Sequence, residues 1–197
     1  MNRLLNQAKL QSFHHYKVYK FGVEVPRNHD QAMELDCMIG NIKWLDAEKL
    51  ELSQIHEYNT FIDKGKGFDM PRSYTKIRLH MVYDVKHDGR HKARMVAGGH
   101  MTKTPVDSIY SGVVSLKGIR TILFLAELNG LDSWAKDIGN AYLEALTKEK
   151  VYIIAGPEFG DLEGHTLVIN KAIYGLRSSG LRWHKKLEDT LRDMGFV

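Results

Sequence analysis

The stretch KIRLHMVYDVKHDGRHKARMVAGG, residues 76–99, constrains this chain more than any other feature. Ile77, Leu79, Met81, Tyr83 and Val85 fall at alternate positions, the period of a strand with one face buried and one wet. His87-Asp88-Gly89-Arg90 supplies turn residues, and HKARMVAGG returns with matching alternation, so a β-hairpin is predicted. Its polar positions are basic. From Arg72 to Lys103 the chain carries eight Lys and Arg (Arg72, Lys76, Arg78, Lys86, Arg90, Lys92, Arg94, Lys103) against Asp84 and Asp88, a local charge of +6. The whole chain of 197 residues is only +4, so the remainder is slightly acidic. Such a local field favours a phosphate-bearing partner through steering and counterion release. A solvated hairpin with its basic residues on the wet face accounts for the same charges equally well.

Around the hairpin the chain reads as mixed elements. Residues 1 to about 30 are polar and irregular, with Pro26 breaking any long element, and are read as an extension or connector. Trp44, Ala47, Glu48, Glu51, Leu52, Ile55 and Tyr58 follow three-and-four spacing, which predicts a helix over about 42–58. Lys64-Gly-Lys-Gly67 then ends the segment with turn chemistry. Ser115 is placed to cap a helix over about 116–128, stopped by Asn129-Gly130. Its Ile119, Ile122, Leu123, Leu125, Ala126 and Leu128 leave so little polar face that it should be largely buried. LDSWAKDI reads as a strand ending at Asp137. KVYIIAG and HTLVINKAIYG read as two more strands, joined by GPEFGDLEG. Ser178 or Ser179 opens a final helix with Leu181, His184, Leu187, Leu191 and Met194 on one face. Hairpins and helices without a βαβ rhythm argue for an α+β fold.

Composition narrows the class. Apolar residues make up 43% and charged residues 26%, enough for a core, and no run of eighteen apolar residues is present. The sequence therefore predicts no membrane partner. The single cysteine, Cys37, excludes an internal disulfide framework, and the histidines lack a carboxylate or thiol at ligand spacing. An intracellular setting, cytoplasmic or nuclear and not secreted, is expected.

Asp137 is the most informative acid. At a strand end with backbone carbonyls beside it, a carboxylate suits Mg²⁺, which takes oxygen ligands and keeps waters and phosphates. Taken alone, an acid there is also an ordinary capping or surface residue. The order of its neighbours adds to this: a basic hairpin, an apolar helix, an acid, then a Tyr-Gly-Leu strand and an Arg/Trp-containing helix.

In KARMVAGGH (92–100), YSGVVSLKGIRTILFLAELNG (110–130), KDIGNAYL (136–143), VYIIAGPEF (151–159) and KAIYGLRSSGLRWHKKL (171–187), the chain resembles the reverse transcriptases of Ty1/copia-type LTR retrotransposons. The resemblance covers roughly residues 40–197. It implies a right-hand polymerase with fingers at about 70–125 and 151–178 and palm portions at about 126–150 and 179–197, so that 31–197 form a partial reverse transcriptase domain. It implies that Asp137 is a catalytic, metal-binding aspartate, with the Ile138 carbonyl beside it, for Mg²⁺ or Mn²⁺. It further implies that Tyr142 lies under the sugar and disfavours a 2′-hydroxyl. Arg94, with Lys92, would grip the triphosphate of a dNTP, and Gly175 would let backbone approach the nucleotide. Arg90 and Arg177 would contact an RNA or DNA template-primer. The pattern departs from the family at Ser111-Gly112, where Ser-Pro is usual, and at Arg177-Ser178-Ser179-Gly180, where Lys-Gln-Ser-Pro is usual.

Two-metal nucleotidyl transfer needs carboxylates from more than one place. The family supplies the others from a Tyr-x-Asp-Asp hairpin, and this sequence contains no Asp-Asp dipeptide. The expectation is a chain truncated before that hairpin and inactive alone. Its partners would be the remaining polyprotein: the rest of the palm, thumb, RNase H and integrase. A non-catalytic basic nucleic-acid-binding module, or an inert remnant of a decayed element, is the alternative.

Overall fold

The computed structural model describes residues 17–102 and 112–196. Lys103, Tyr110 and Ser111, which figure in the sequence reading, lie outside them.

Two short strands, β1 (Val18–Lys20) and β2 (Val23–Val25), pair antiparallel across Phe21 and Gly22, whose φ values of 49° and 80° make the tight turn. Helix α1 (His29–Ile39) follows. Over residues 18–30 the expected irregular chain is therefore corrected to a strand pair and the start of a helix; residues 1–16 lie outside the described residues. Pro26 separates β2 from α1, and Asn28 caps the helix by accepting from the Gln31 N–H at 2.9 Å. Gly40, at φ 73°, closes it.

Helix α2 (Lys43–Glu57) matches the predicted one within a residue at each end. Ile42, at its N-cap, has no capping side chain. Buried Asp36 of α1 does that work from a distance, accepting from the N–H groups of Trp44 (3.1 Å) and Leu45 (2.9 Å). The buried face of α2 is Trp44, Ala47, Glu48 and Ile55.

A four-stranded sheet is ordered β3-β8-β7-β4, from β3 (Phe61–Lys66), β4 (Thr75–Lys76), β7 (Val151–Ile154) and β8 (His165–Ile169). Only β4–β7 is parallel. Lys64-Gly-Lys-Gly67 is not simply a turn: β3 continues to Lys66 through an irregularity between Asp63 and Lys66, where Gly65 takes φ 83°. Between β7 and β8 lie 3₁₀ turns over Pro157–Leu162.

The predicted hairpin is present as β5 (Leu79–Val85) and β6 (His91–Ala97). Met81, Tyr83 and Val85 face the core with Ala93, Met95 and Ala97. Gly89, at φ 79°, and the Arg90–Asp88 ion pair at 2.7 Å shape the turn. Helix α2 packs against β6, and Trp44 meets Tyr83 edge-on at 5.6 Å and His91 at 4.2 Å between ring centroids. The core runs on through Ile77, Val151, Ile153, Leu167, Ile169 and Ile173.

Two expectations fail beyond the hairpin. Helix α3 (Leu116–Leu128) forms where predicted, with the Ser115 hydroxyl accepting from the Gly118 N–H at 3.0 Å, but none of its residues is buried. Ile122, Phe124 and Leu128 are 62–65% exposed. Apolar composition signals a demand for burial without supplying the surface that meets it. Residues 131–138 are not a strand but irregular and exposed. No described strand lies alongside to take their backbone groups, and a lone strand has no ladder to form.

Helix α4 (Ser179–Asp193) has Ser178 at its cap position, yet the Ser178 hydroxyl turns away and donates to Glu149 at 2.6 Å. Of the face expected for this helix, Leu181 and Leu187 are half-buried, while His184, Leu191 and Met194 are exposed. The result is a mixed α+β structure, and no helix among the described residues is long and apolar enough to cross a membrane.

Candidate nucleotide site

The outward face of β6 carries Lys92, Arg94 and Val96, because its alternate residues Ala93, Met95 and Ala97 fill the core. Across the hairpin, Val82 stands opposite Arg94 and Asp84 opposite Lys92. Asp84 is taken by an ion pair with Lys20. Burial lowers the Lys92 amine from its ordinary pKa, and the positive charges of Arg94 and Lys86 add to the shift.

The far edge of β6 is covered by α2. Glu51 accepts from the Met95 N–H at 2.9 Å, and burial raises its carboxyl above the ordinary value, opposed by that N–H and by the charges of Arg94 and Lys92. Behind the hairpin, buried Glu48 accepts from the Tyr83 hydroxyl and lies 2.9 Å from His29 Nδ1. Burial and the Glu48 carboxylate both push the Tyr83 hydroxyl pKa upward.

Three segments distant in sequence meet in front of β6. The Arg94 guanidinium lies 4.5 Å from the centre of the Tyr174 ring. Tyr174 in turn meets Tyr142 at 4.8 Å, the two rings tilted by 46°. Tyr142 stands on the 3₁₀ turn Ala141–Glu144, entered through Asn140 at φ 50°. The Tyr174 carbonyl accepts from the Ala97 N–H at 2.7 Å, which ties the 174–177 loop to the end of β6.

Gly175 makes that junction possible. It sits at φ 91°, and a Cβ there would fall 2.1 Å from the Ala97 carbonyl oxygen; a Cβ on Gly99 would fall 2.0 Å from the Gly175 oxygen. The close approach expected of Gly175 toward a nucleotide is, in this structure, an approach to Ala97 and Gly99 of the same chain. Arg177 extends the junction: its Nε donates to the Gly99 carbonyl at 3.0 Å and Nη2 reaches the His100 carbonyl at 3.5 Å. Arg90 stays at the hairpin tip with Asp88.

The structure thus unites Arg94 and Tyr142 through a residue, Tyr174, to which the sequence reading gave no role of its own. Its only signal was its place in the Tyr-Gly-Leu block. Glu48 and Glu51 were also legible as acids at the spacing of the helix's apolar face. Asp137 and Ile138 are not drawn into the cluster as a formed metal centre. Both are exposed on irregular chain, and among the described residues no group of three or more His, Cys, Asp or Glu is arranged to hold a metal ion. One carboxylate does not fit a two-metal site.

Comparison with known proteins assigns the chain. The family model described as "Reverse transcriptase (RNA-dependent DNA polymerase)" matches residues 66–197, which include the hairpin, Asp137 and all three members of the stack. The chain belongs to the reverse transcriptase family. It is similar to the truncated transposon Ty1-A Gag-Pol polyprotein and the transposon Ty1-DR5 Gag-Pol polyprotein of Saccharomyces cerevisiae, at 32% identity over 153 residues, 76% of this chain. It spans 13% and 9% of their lengths, respectively. No solved structure matches it. The reverse transcriptase match begins after α1 and α2, so Asp36, Glu48 and Glu51 support the hairpin from outside the matched stretch.

Proposed function

We propose that this chain forms the fingers and first palm portion of a retrotransposon reverse transcriptase, an enzyme that copies an RNA or DNA template into DNA from dNTPs. The observation that carries this reading is the convergence of Arg94, Tyr174 and Tyr142 from three segments of the family block. Arg94, with Lys92 beside it, holds the triphosphate; a guanidinium suits this because its fork meets phosphate oxygens in two places. Tyr142 places an aromatic wall under the sugar. Arg90, at the exposed hairpin tip, meets the template-primer, and Arg177 orders the loop beside it.

Asp137 is the carboxylate this segment contributes to metal binding, with the Ile138 carbonyl adjacent. Mg²⁺ or Mn²⁺ chemistry belongs to the complete polymerase, whose remaining palm, thumb, RNase H and integrase are the partners of this chain in an intracellular polyprotein. By itself the chain binds template-primer without extending it. The basic hairpin also favours a second reading, in which the chain acts only as a nucleic-acid-binding module.

Binding of a primer–template duplex across a salt series tests the proposal. Replacing Arg90, Lys92 and Arg94 by Ala should weaken binding about tenfold or more and flatten the salt dependence by up to about one unit of slope for each lost phosphate contact. Binding indifferent to the triple substitution, or to salt, would remove the hairpin from the interface. Primer extension by the purified chain, lost in Asp137→Asn, would overturn its assignment as inactive and rule out the binding-module reading.

A further inference from the structure

We propose that Tyr174 is a positioning residue that couples triphosphate grip to sugar discrimination, because its ring touches both the Arg94 guanidinium and the Tyr142 ring. The proposal rests on the reading of Arg94 and Tyr142 given above.

The backbone fixes where the ring stands. The Tyr174 carbonyl is fixed by the Ala97 N–H at 2.7 Å, and the next residue, Gly175, lies against Ala97 so closely that no side chain fits. Arg94 and Ala97 belong to the same strand, so ring and guanidinium are set by one rigid junction. The Tyr174 ring is therefore a platform tied to β6, not a side chain on a loop that moves independently.

The second step is the chemistry of the guanidinium. Its central carbon lies over the ring, 4.5 Å from the centroid, where the quadrupole attracts the cation. Among the described residues Arg94 has no carboxylate within ion-pair distance: Asp84 is engaged by Lys20, and Glu51 bonds the Met95 N–H. An arginine held over an aromatic ring, with its donors not committed to an acid, is available to receive phosphate oxygens two at a time. A solvated arginine would have to be ordered as the ligand arrives, at a cost in side-chain entropy that the ring has already met.

The third step is Tyr142. Its ring meets Tyr174 at 4.8 Å with a tilt of 46°, within the range of favourable aromatic pairs. The residue assigned to the sugar is thus held by the same platform as the residue assigned to the triphosphate. Loosening the platform frees both, so affinity and discrimination should change together.

The test is binding of dATP and of ATP to the full 197-residue chain, followed by calorimetry. The series comprises Tyr174→Leu and Tyr174→Met, which keep bulk and lose the ring face, Tyr174→Phe, which keeps the face, and Arg94→Ala; thermal melts check folding of each. Either non-aromatic variant should weaken dATP binding about three- to tenfold. It should also narrow the ratio of dATP to ATP affinity, and Tyr174→Phe should rescue both. A structural role alone would not move that ratio. If Arg94→Ala weakens dATP while the non-aromatic variants bind as the unaltered chain does, the coupling is wrong and the triphosphate reading stands. An unchanged ratio with both affinities lowered also overturns the coupling. If dATP binding is indifferent to Arg94→Ala, the triphosphate reading itself fails, and the coupling with it.

Discussion

The β5–β6 hairpin with α2, and the stretch from α3 to Asp137, are both rich in apolar residues, yet they differ in what they meet. In the first, the inward residues Tyr83, Met95 and Ala97 share one buried core with Trp44, Ala47 and Ile55 from α2, and the edge N–H of Met95 finds Glu51. In the second, Ile122, Phe124 and Leu128 face outward, and Trp134 is 86% exposed. The helix nonetheless has sound ends, with Ser115 at one and Asn129-Gly130 at the other. Local rules of capping and propensity suffice to make a helix; packing requires a second surface. The proposed roles divide along the same line. Lys92 and Arg94, assigned to the triphosphate, stand on the packed region, and the residue assigned to the metal stands on the uncovered one.

Substitution at Trp44 should have the largest effect on this contrast. Trp44→Ala removes an indole that is 1% exposed and edge-packed on Tyr83 and His91, and should cost about 3–5 kcal/mol in denaturant unfolding. A loss below about 1 kcal/mol would mean that α2 is not seated on the hairpin. A smaller effect is expected at Glu51. Burial raises its folded-state pKa above the ordinary 4.5, so the native state holds the proton more tightly than the unfolded chain does. The stability this contributes is complete below about the ordinary value and is lost as pH rises through the raised one. Glu51→Gln keeps an acceptor for Met95 and has no such titration. The unaltered chain should therefore lose melting temperature relative to Glu51→Gln as pH climbs from 4 toward neutrality. A difference that stays constant across the series would place Glu51 in water. The smallest change belongs to α3, where Ile122→Gln should shift stability by no more than about 0.5 kcal/mol. A loss above about 1 kcal/mol would show α3 to be covered and would erase the contrast.

Much of the packed region was legible because it is built from local periodicities. Alternation from Ile77 to Val85 with Asp88-Gly89 identified the hairpin, and the spacing of Trp44, Ala47, Glu48, Glu51 and Ile55 identified α2. What escaped depended on partners far along the chain or on short signals. The β1–β2 hairpin hangs on two positive-φ residues, Phe21 and Gly22, and Phe is an unusual choice there. Helix α1 was announced by Asn28 and by Ala32 and Leu35, but Pro26 drew the reading toward a break. The strand read into residues 131–138 failed because its apolar residues, Leu131, Trp134, Ala135 and Ile138, do not alternate, and no described strand offers it a ladder. At the candidate site, family blocks pointed to Arg94 and Tyr142 separately. Their meeting through Tyr174 is a tertiary fact, set by the contact of Gly175 with Ala97, and no spacing in the sequence encodes it.

The antiparallel pairing of β3 with β8 imposes an order in time. Asp63 of β3 faces His165 of β8 at 2.9 Å, and the two are 102 positions apart in the chain. While the protein is being synthesised, α2 and the β5–β6 hairpin have all their residues once Ala97 is made. β3, although it comes earlier, must wait for β8, and β4 must wait for β7. Closing so long a loop adds entropy that the hairpin never meets. The four-stranded sheet, although its first strand precedes the hairpin in sequence, is thus the last to gain its neighbours, and the basic hairpin becomes the surface on which the later strands assemble.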